Sequence, residues 1–288
     1  MVGSTLSSLK KIRMVILIQC IDKVGLVAAI STLLAKEQIN IISMREHVDT
    51  VENRFFVRLV VNGCANIPLL KTQLNNVLPA DAEINVNPQP AKKIIILVTK
   101  DHHCLSDILI RNHFKTLGAT VQCVIGNHNN LLEICSRFDI PFHLISHENT
   151  DKQSFEKSLL LIIGSYEVHY LVLAKFMRIL SPFFIQNVAI PIINIHHSFL
   201  PAFIGANPYR QAYERGVKLI GATAHFVTNQ LDEGPIIAQQ IIPVNHSTTA
   251  ADMMKAGKEI ETAVLAKGLQ LVFEERILLF KNKTVVFE

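Results

Sequence analysis

No stretch of about 18 uncharged apolar residues, the minimum that spans a bilayer, occurs in this 288-residue sequence. Its most apolar region, 159–185, is broken by Glu167, Lys175 and Arg178, so membrane insertion is not expected. A secretory leader is lacking too. Lys10, Lys11 and Arg13 are followed only by the short apolar run 14–18 before Gln19, and a cytoplasmic protein is expected. The five cysteines (20, 64, 104, 123 and 135) are odd in number, scattered and without a CxxC pair. That argues against a disulfide framework or a cysteine zinc site and for buried free thiols. An excess of one charge is missing as well, with 28 Lys+Arg against 24 Asp+Glu. Residues 1–88 hold nine basic and seven acidic residues, the remainder 19 and 17, so neither part carries a nucleic-acid footprint. Glycine is absent where a nucleotide site would need it. Residues 100–107 (KDHHCLSD), after the first strand of the second half, contain none, which disfavours a dinucleotide fingerprint or a phosphate cradle, and there is no P-loop.

What is present is enough for two cores. Hydrophobic residues make up 49% and charged residues 18%, which excludes disorder, and the length suggests two domains. The best boundary is 85–93 (NVNPQPAKK), with two prolines in three residues. Before it, strands are expected over 13–21, 40–48, 54–61 and 81–87 and helices over 25–36 and 69–78. That order is β-α-β-β-α-β, a ferredoxin-like unit. After it, strands over 94–99, 120–125, 141–145, 170–174 and 190–196 alternate with helices over 105–117, 130–138 and 151–161. Apolar strands separated by helices predict a doubly wound, mostly parallel sheet. Strands over 218–228 and 235–244 and one long helix over 249–280 complete the α/β pattern.

Ligands of doubly wound sheets sit outside the carboxyl ends of the strands. The densest polar group at such a place is NIHHSFLPAFIG at 194–205. Asn194 and His196 share one strand face, so a carboxamide and an imidazole converge where the strand ends. Asp232, in QLDEGP at 230–235, occupies a turn between two strands that returns beside the first. Two groups that stabilise an oxyanion and a carboxylate that handles protons are the parts needed to attack an acyl carbon with water. The plainer reading stands beside this one, since a lone strand histidine is ordinarily a hydrogen-bonded core or surface residue and an aspartate in a turn is a turn former. No metal site is expected. His196 and His197, as neighbours on a strand, point to opposite faces, and the run from His102 to Cys104 has the same weakness. Spacing alone leaves both readings open.

The same residues resemble the folate-dependent formyltransferase fold: NIH at 194–196 leading into SFLP at 198–201 and Gly205, with LDEGP at 231–235. CLSDIL at 104–109, AKFMRILS at 174–181, the double histidine and QAYERGVKLIGATAH at 211–225 look like the formyltetrahydrofolate deformylase family in particular. DKVGL at 22–26 resembles the loop opening the first helix of ACT regulatory domains. The resemblance covers nearly the whole chain. It implies an ACT-like regulatory domain over 1–88 and a formyltransferase-fold catalytic domain over 89–288. The implied reaction is hydrolysis of 10-formyltetrahydrofolate to formate and tetrahydrofolate, supplying formate for purine and one-carbon metabolism. By that match Asn194 and His196 hold the formyl oxygen, while Asp232 orients or deprotonates the water and supports a charged His196. The segments carrying Phe176, Met177, Arg178, Ile179 and Leu180, and Thr228, Gln230, Leu231 and Gly234, enclose the pterin largely through backbone groups. Met177, Ile179 and Leu180 are apolar walls. No tightly bound cofactor is implied, only the folate substrate. An amino-acid effector at the ACT domain, bordered by Asp22, Gly25 and Leu26, and a homo-oligomer, as a tetramer, follow from the same match. Asn207 stands where a basic residue is expected in many relatives. Two other functions compete. Transfer of the formyl group to an amine is disfavoured by the missing phosphate-site glycines and by the lack of an added basic RNA-binding domain. A non-catalytic folate or amino-acid-binding regulator is disfavoured by the intact Asn194, His196 and Asp232.

Overall fold

A computed structural model describes residues 13–63, 66–87, 92–202 and 208–288. Cys64, Gly205, Asn207 and the expected domain junction at 88/89 lie outside the described residues. The chain divides into two compact units, Met1–Pro90 with Phe287–Glu288, and Ala91–Val286.

The first unit runs β1 (Arg13–Ile21), α1 (Leu26–Lys36), β2 (Asn40–Asp49), β3 (Arg54–Asn62), α2 (Ile67–Val77) and β4 (Glu83–Asn87). Its antiparallel sheet has the order β2-β3-β1-β4, the ferredoxin-like arrangement. Helix α1 starts at Gly25, whose φ of 93° a side chain would resist, and buries Leu26, Ile30 and Leu34 at a spacing of four. Helix α2 is capped by Asn66, whose side chain accepts from the Leu69 N–H at 3.2 Å.

The second unit continues with β5 (Lys92–Val98), α3 (His103–His113), β6 (Ala119–Gly126), α4 (Leu132–Arg137), β7 (Phe142–Leu144), α5 (Lys152–Gly164), β8 (Tyr170–Leu173) and α6 (Pro182–Val188). It ends with β9 (Ile192–His196), α7 (Pro208–Glu214), β10 (Leu219–Phe226), β11 (Ile236–Pro243), α8 (Ala250–Phe273), β12 (Ile277–Phe280) and β13 (Lys283–Val286). Seven strands form one sheet in the order β11-β10-β9-β8-β5-β6-β7. The five from β9 to β7 are parallel; β10 and β11 are antiparallel additions. Alternation along β5 supplies a core to each face. Ile94, Ile96 and Val98 pack with Leu105, Ile108, Val264 and Leu265 on one side, and Ile95 and Leu97 with Phe155, Leu159 and Phe184 on the other.

Helices α6, α7 and α8 and the terminal hairpin differ from the sequence expectation, which places no helix over Pro208–Glu214. Helix α8 stops at Phe273, short of Phe280, because Glu275 turns left-handed (φ 53°) and the Arg276 N–H closes back on the Leu271 carbonyl at 2.9 Å. This is the helix-terminating geometry usually left to glycine. The apolar residues beyond pair as the β12–β13 hairpin. Helix α6 was not expected at all. Its signal is local: Ser181 accepts from the Phe184 N–H at 3.2 Å and Pro182 opens the helix. Cys20, Cys104, Cys123 and Cys135 are free and buried, as composition suggested. Among the described residues no helix is long and apolar enough to cross a membrane.

Candidate active site

The strand order reverses between β5 and β8, and in such sheets the crevice at the carboxyl ends beside that point takes the ligand. Here it is a cavity of about 270 Å³, lined by residues that follow β8, by the end of β9 and by the turn after β10.

Asn194 and His196 come from one face of β9, and the antiparallel register sets His225 of β10 directly opposite Asn194. The His225 Nδ1 lies 2.9 Å from the Phe226 carbonyl, which can only accept, so Nδ1 carries the proton and Nε2 is bare. Nε2 then accepts from the Asn194 amide at 3.2 Å. Burial depresses the basicity of His225, consistent with this neutral form. The Asn194 carboxamide is thereby fixed by a residue that sequence reasoning passed over. The signal was available in the 211–225 motif, but only strand register shows its use.

Asp232 arrives through the turn after β10. Gly234 is required there, since a Cβ would lie 1.7 Å from the Phe226 carbonyl oxygen, and the Phe226 N–H donates to the Pro235 carbonyl at 2.9 Å. Asp232 itself sits at φ 58°. Its Oδ2 is 3.3 Å from His196 Nδ1 and its Oδ1 is 3.8 Å from His225 Nε2. Burial raises its carboxyl, but the His196 hydrogen bond and the surrounding imidazoles outweigh it and hold the group below its ordinary value. Asp232 thus orients His196, whose other nitrogen, Nε2, is buried in the cavity wall with no partner among the described residues. An orphaned buried nitrogen of this kind calls for a ligand or water.

Phe176, Met177, Arg178, Ile179 and Leu180 line the cavity as a strap, and Thr228 and Leu231 face it from the turn. The strap is pinned at both ends. The Met177 N–H donates to Thr99 Oγ1 at 2.9 Å, and the Ser181 N–H donates to buried Glu156 at 2.7 Å. Two expected folate contacts, Gln230 and Gly234, are not among the lining residues; Gly234 serves the turn instead, and the Gln230 carbonyl accepts from Thr228 Oγ1 at 3.2 Å. In the first unit the Leu26 side chain is buried in the core, so it is not free to border an effector, whereas Gly25 is exposed and Asp22 half-buried.

The expectation that His196 and His197 face apart is corrected. The strand ends at His196, alternation lapses, and both rings line the cavity with centroids 5.2 Å apart. Burial and the nearby Lys175 push the His197 imidazole down to about 4. Behind it, Glu261 of α8 accepts from His103 Nε2 at 2.8 Å and Tyr209 Oη at 2.7 Å and pairs with Lys175 Nζ at 3.1 Å. His103, Cys104 and Glu261 offer donor atoms within 4.8 Å of one another. Glu261 is already taken up by two hydrogen bonds and the Lys175 ion pair, and burial pushes the Cys104 thiol far above its ordinary value, so the group fits a proton-bearing network better than a metal.

A doubly wound sheet with an amide, two imidazoles and a carboxylate converging beside an apolar strap defines a formyltransferase-type acyl-transfer domain, here following an ACT-type unit. Residues 92–269 match the formyl transferase family and residues 14–79 the ACT domain. Over 272 residues the chain is 48% identical to a formyltetrahydrofolate deformylase from Haemophilus influenzae, covering 94% of this chain and 98% of that one. A formyltetrahydrofolate deformylase from Bacillus subtilis is 41% identical over 279 residues, with 94% and 93% covered. The crystal structure of a formyltetrahydrofolate deformylase from Pseudomonas syringae pv. tomato aligns with a TM-score of 0.90 at 36% identity, covering 98% of this chain and 96% of that one. The chain belongs to the formyltetrahydrofolate deformylase family.

Proposed function

We propose that this protein is a hydrolase that converts 10-formyltetrahydrofolate and water to tetrahydrofolate and formate. The observation that carries the chemistry is the buried His196 Nε2, without a partner among the described residues, backed by Asp232 and flanked by the His225-fixed Asn194 amide. The water oxygen bonds to the formyl carbon as its proton passes to Asp232, and negative charge moves to the former carbonyl oxygen. The Asn194 amide N–H and the protonated His196 hold that oxyanion. Donors preset where charge develops typically supply the largest part of such a rate enhancement. The bond to N10 then breaks with its electron pair on N10, which takes up the proton held by Asp232, and tetrahydrofolate leaves together with formic acid, which ionises to formate.

The apolar strap supports folate binding. Met177 and Ile179 are exposed at 51% and 61%, large apolar side chains that a flat heteroaromatic ring would cover. Formate supply for purine and one-carbon metabolism follows from this reaction. The ACT-type unit supports control by an amino acid bound near Asp22 and Gly25 where two such sheets pair, in a cytoplasmic homo-oligomer, as a tetramer. An amino-acid panel read by activity and melting temperature tests the effector. The reaction is tested by incubating the purified chain with 10-formyltetrahydrofolate and no amine. Stoichiometric formate is expected, and folate binding without formate release overturns the hydrolase reading.

A further inference from the structure

The proposed reaction leaves one buried cation of the cavity without a role. Lys175 follows β8 and is only 8% exposed, yet it lines the cavity together with His196 and His197. Its backbone is left-handed, at φ 63°. That conformation disfavours any residue with a Cβ, and burying a lysine sacrifices both hydration and side-chain freedom. Glycine would occupy the position without strain. A lysine held there against both penalties is best explained by what its side chain does.

Glu261 clamps it from behind. The 3.1 Å pair to Nζ is one of three bonds to a carboxylate that is itself 1% exposed, the others coming from His103 on α3 and Tyr209 on α7. Burial raises this carboxyl, but the His103 hydrogen bond and the Lys175 charge prevail and bring it down to about 2, so it remains an anion. Gly257, one turn earlier on α8, makes the arrangement possible, because a Cβ there would lie 2.2 Å from the Tyr209 hydroxyl. With three elements holding Glu261, the ammonium is tied to a fixed wall and is not a free surface arm.

The cavity wall carries apolar side chains, among them Phe176, Ile179, Leu180 and Leu231, and polar ones, among them Asn194, His196, His197, His225, Asp232 and Lys175. A folate ring against the apolar residues presents its formyl group to Asn194 and His196. The acceptor must then reach the formyl carbon past other polar residues of the wall, and Lys175 and His197 are among these. We infer that Lys175, clamped by Glu261, is a specificity-determining residue that leaves room for water and excludes a larger amine acceptor. This rests on the hydrolase reading. The suppressed step is defined: an amine nitrogen bonds to the formyl carbon, the bond to N10 breaks with its pair on N10, and the amine's proton ends on N10. The products would be a formamide and tetrahydrofolate.

The test is a partition assay on the full chain, with 10-formyltetrahydrofolate as donor and glycinamide as acceptor probe, measuring formylglycinamide against formate. The wild-type protein is expected to yield formate, with formylglycinamide at the enzyme-free background. Lys175→Gly is expected to raise the ratio by about tenfold or more, the scale on which a pocket discriminates by size. Lys175→Met, which refills the space without charge, is expected to keep the ratio low. An unchanged ratio in Lys175→Gly overturns the inference, and so does a Lys175→Met ratio as high as that of the glycine variant. Lys175→Ala is judged by the same ratio if the glycine variant does not fold. Absence of formate from the wild-type protein would instead mark failure of the hydrolase reading, so the two outcomes are separate.

Discussion

Asn194 and His225 face each other across β9 and β10, and the amide of the first donates to the bare Nε2 of the second at 3.2 Å. The contact fixes which end of the carboxamide carries N–H groups, and so makes Asn194 a donor toward the cavity rather than an acceptor. A donor preset in this way needs no reorganisation when charge develops on the formyl oxygen. Asn194→Ala is therefore expected to lower kcat for formate release by about a hundred- to a thousandfold. His225→Ala, which acts through its hold on Asn194 and its closeness to Asp232, is expected to lower kcat less, with KM for the folate nearly unchanged. Steady-state kinetics of both variants checks this. Near-normal kcat in Asn194→Ala would remove it from the mechanism.

Asp232→Asn is expected to cut kcat by about a hundred- to ten-thousandfold while the fold is kept. The pH dependence of the wild-type protein follows from the depressed carboxyl. Asp232 stays ionised as pH falls through 3.8, the ordinary aspartate value, and its contribution is lost only below that. A loss of kcat centred above about pH 5 must therefore come from another group, and the Asp232→Asn variant should retain that limb. Disappearance of the limb in the variant would assign it to Asp232 after all.

Gly234→Ala is expected to impair turnover although residue 234 is not part of the cavity wall. The added Cβ meets the Phe226 carbonyl at 1.7 Å, so the turn must shift and carry Asp232 away from His196. Displacements of about 1 Å in catalytic geometry can cost a hundredfold in rate. The measurement is kcat together with the unfolding midpoint. A variant with unchanged kcat would show that the turn tolerates the side chain.

Glu261→Gln is expected to destabilise the second unit by about 3–5 kcal/mol, the scale for stranding one partner of a buried ion pair. The sign of the pH effect is set by the depressed carboxyl. Above its ordinary value of 4.5 the ionised Glu261 contributes fully to stability, and that contribution fades as pH falls toward about 2. Thermal unfolding between pH 5 and pH 2.5 should thus show a steeper decline in the wild-type protein than in Glu261→Gln. Parallel declines would assign the acid sensitivity elsewhere.

Much of the architecture was legible because local rules fixed it. Two prolines near 88–90, apolar residues at helical spacing in α1 and continuous apolar strands such as β5 announce two units of different type. The overextended helix is the instructive exception. Residues 274–280 (EERILLF) continue an acceptable helical pattern, and only the left-handed turn at Glu275 and the pairing of β12 with β13 end it. Helix propensity is a weak prior that tertiary pairing overrides.

The sequence by itself determined that Asn194 and His196 share a strand face, that glycine is missing from 100–107 and that Asp232 lies in a turn, because period-two alternation and turn chemistry act over a few residues. Tertiary structure decided the rest. Asp232 meets His196 because β10 returns antiparallel to β9 and the turn tightens at Gly234. His197 joins the cavity because the strand ends one residue before it. Glu261 reaches Lys175 from a helix 86 positions along the chain. Such meetings depend on strand register and helix packing, which bring distant residues within a few ångströms and which no local pattern encodes.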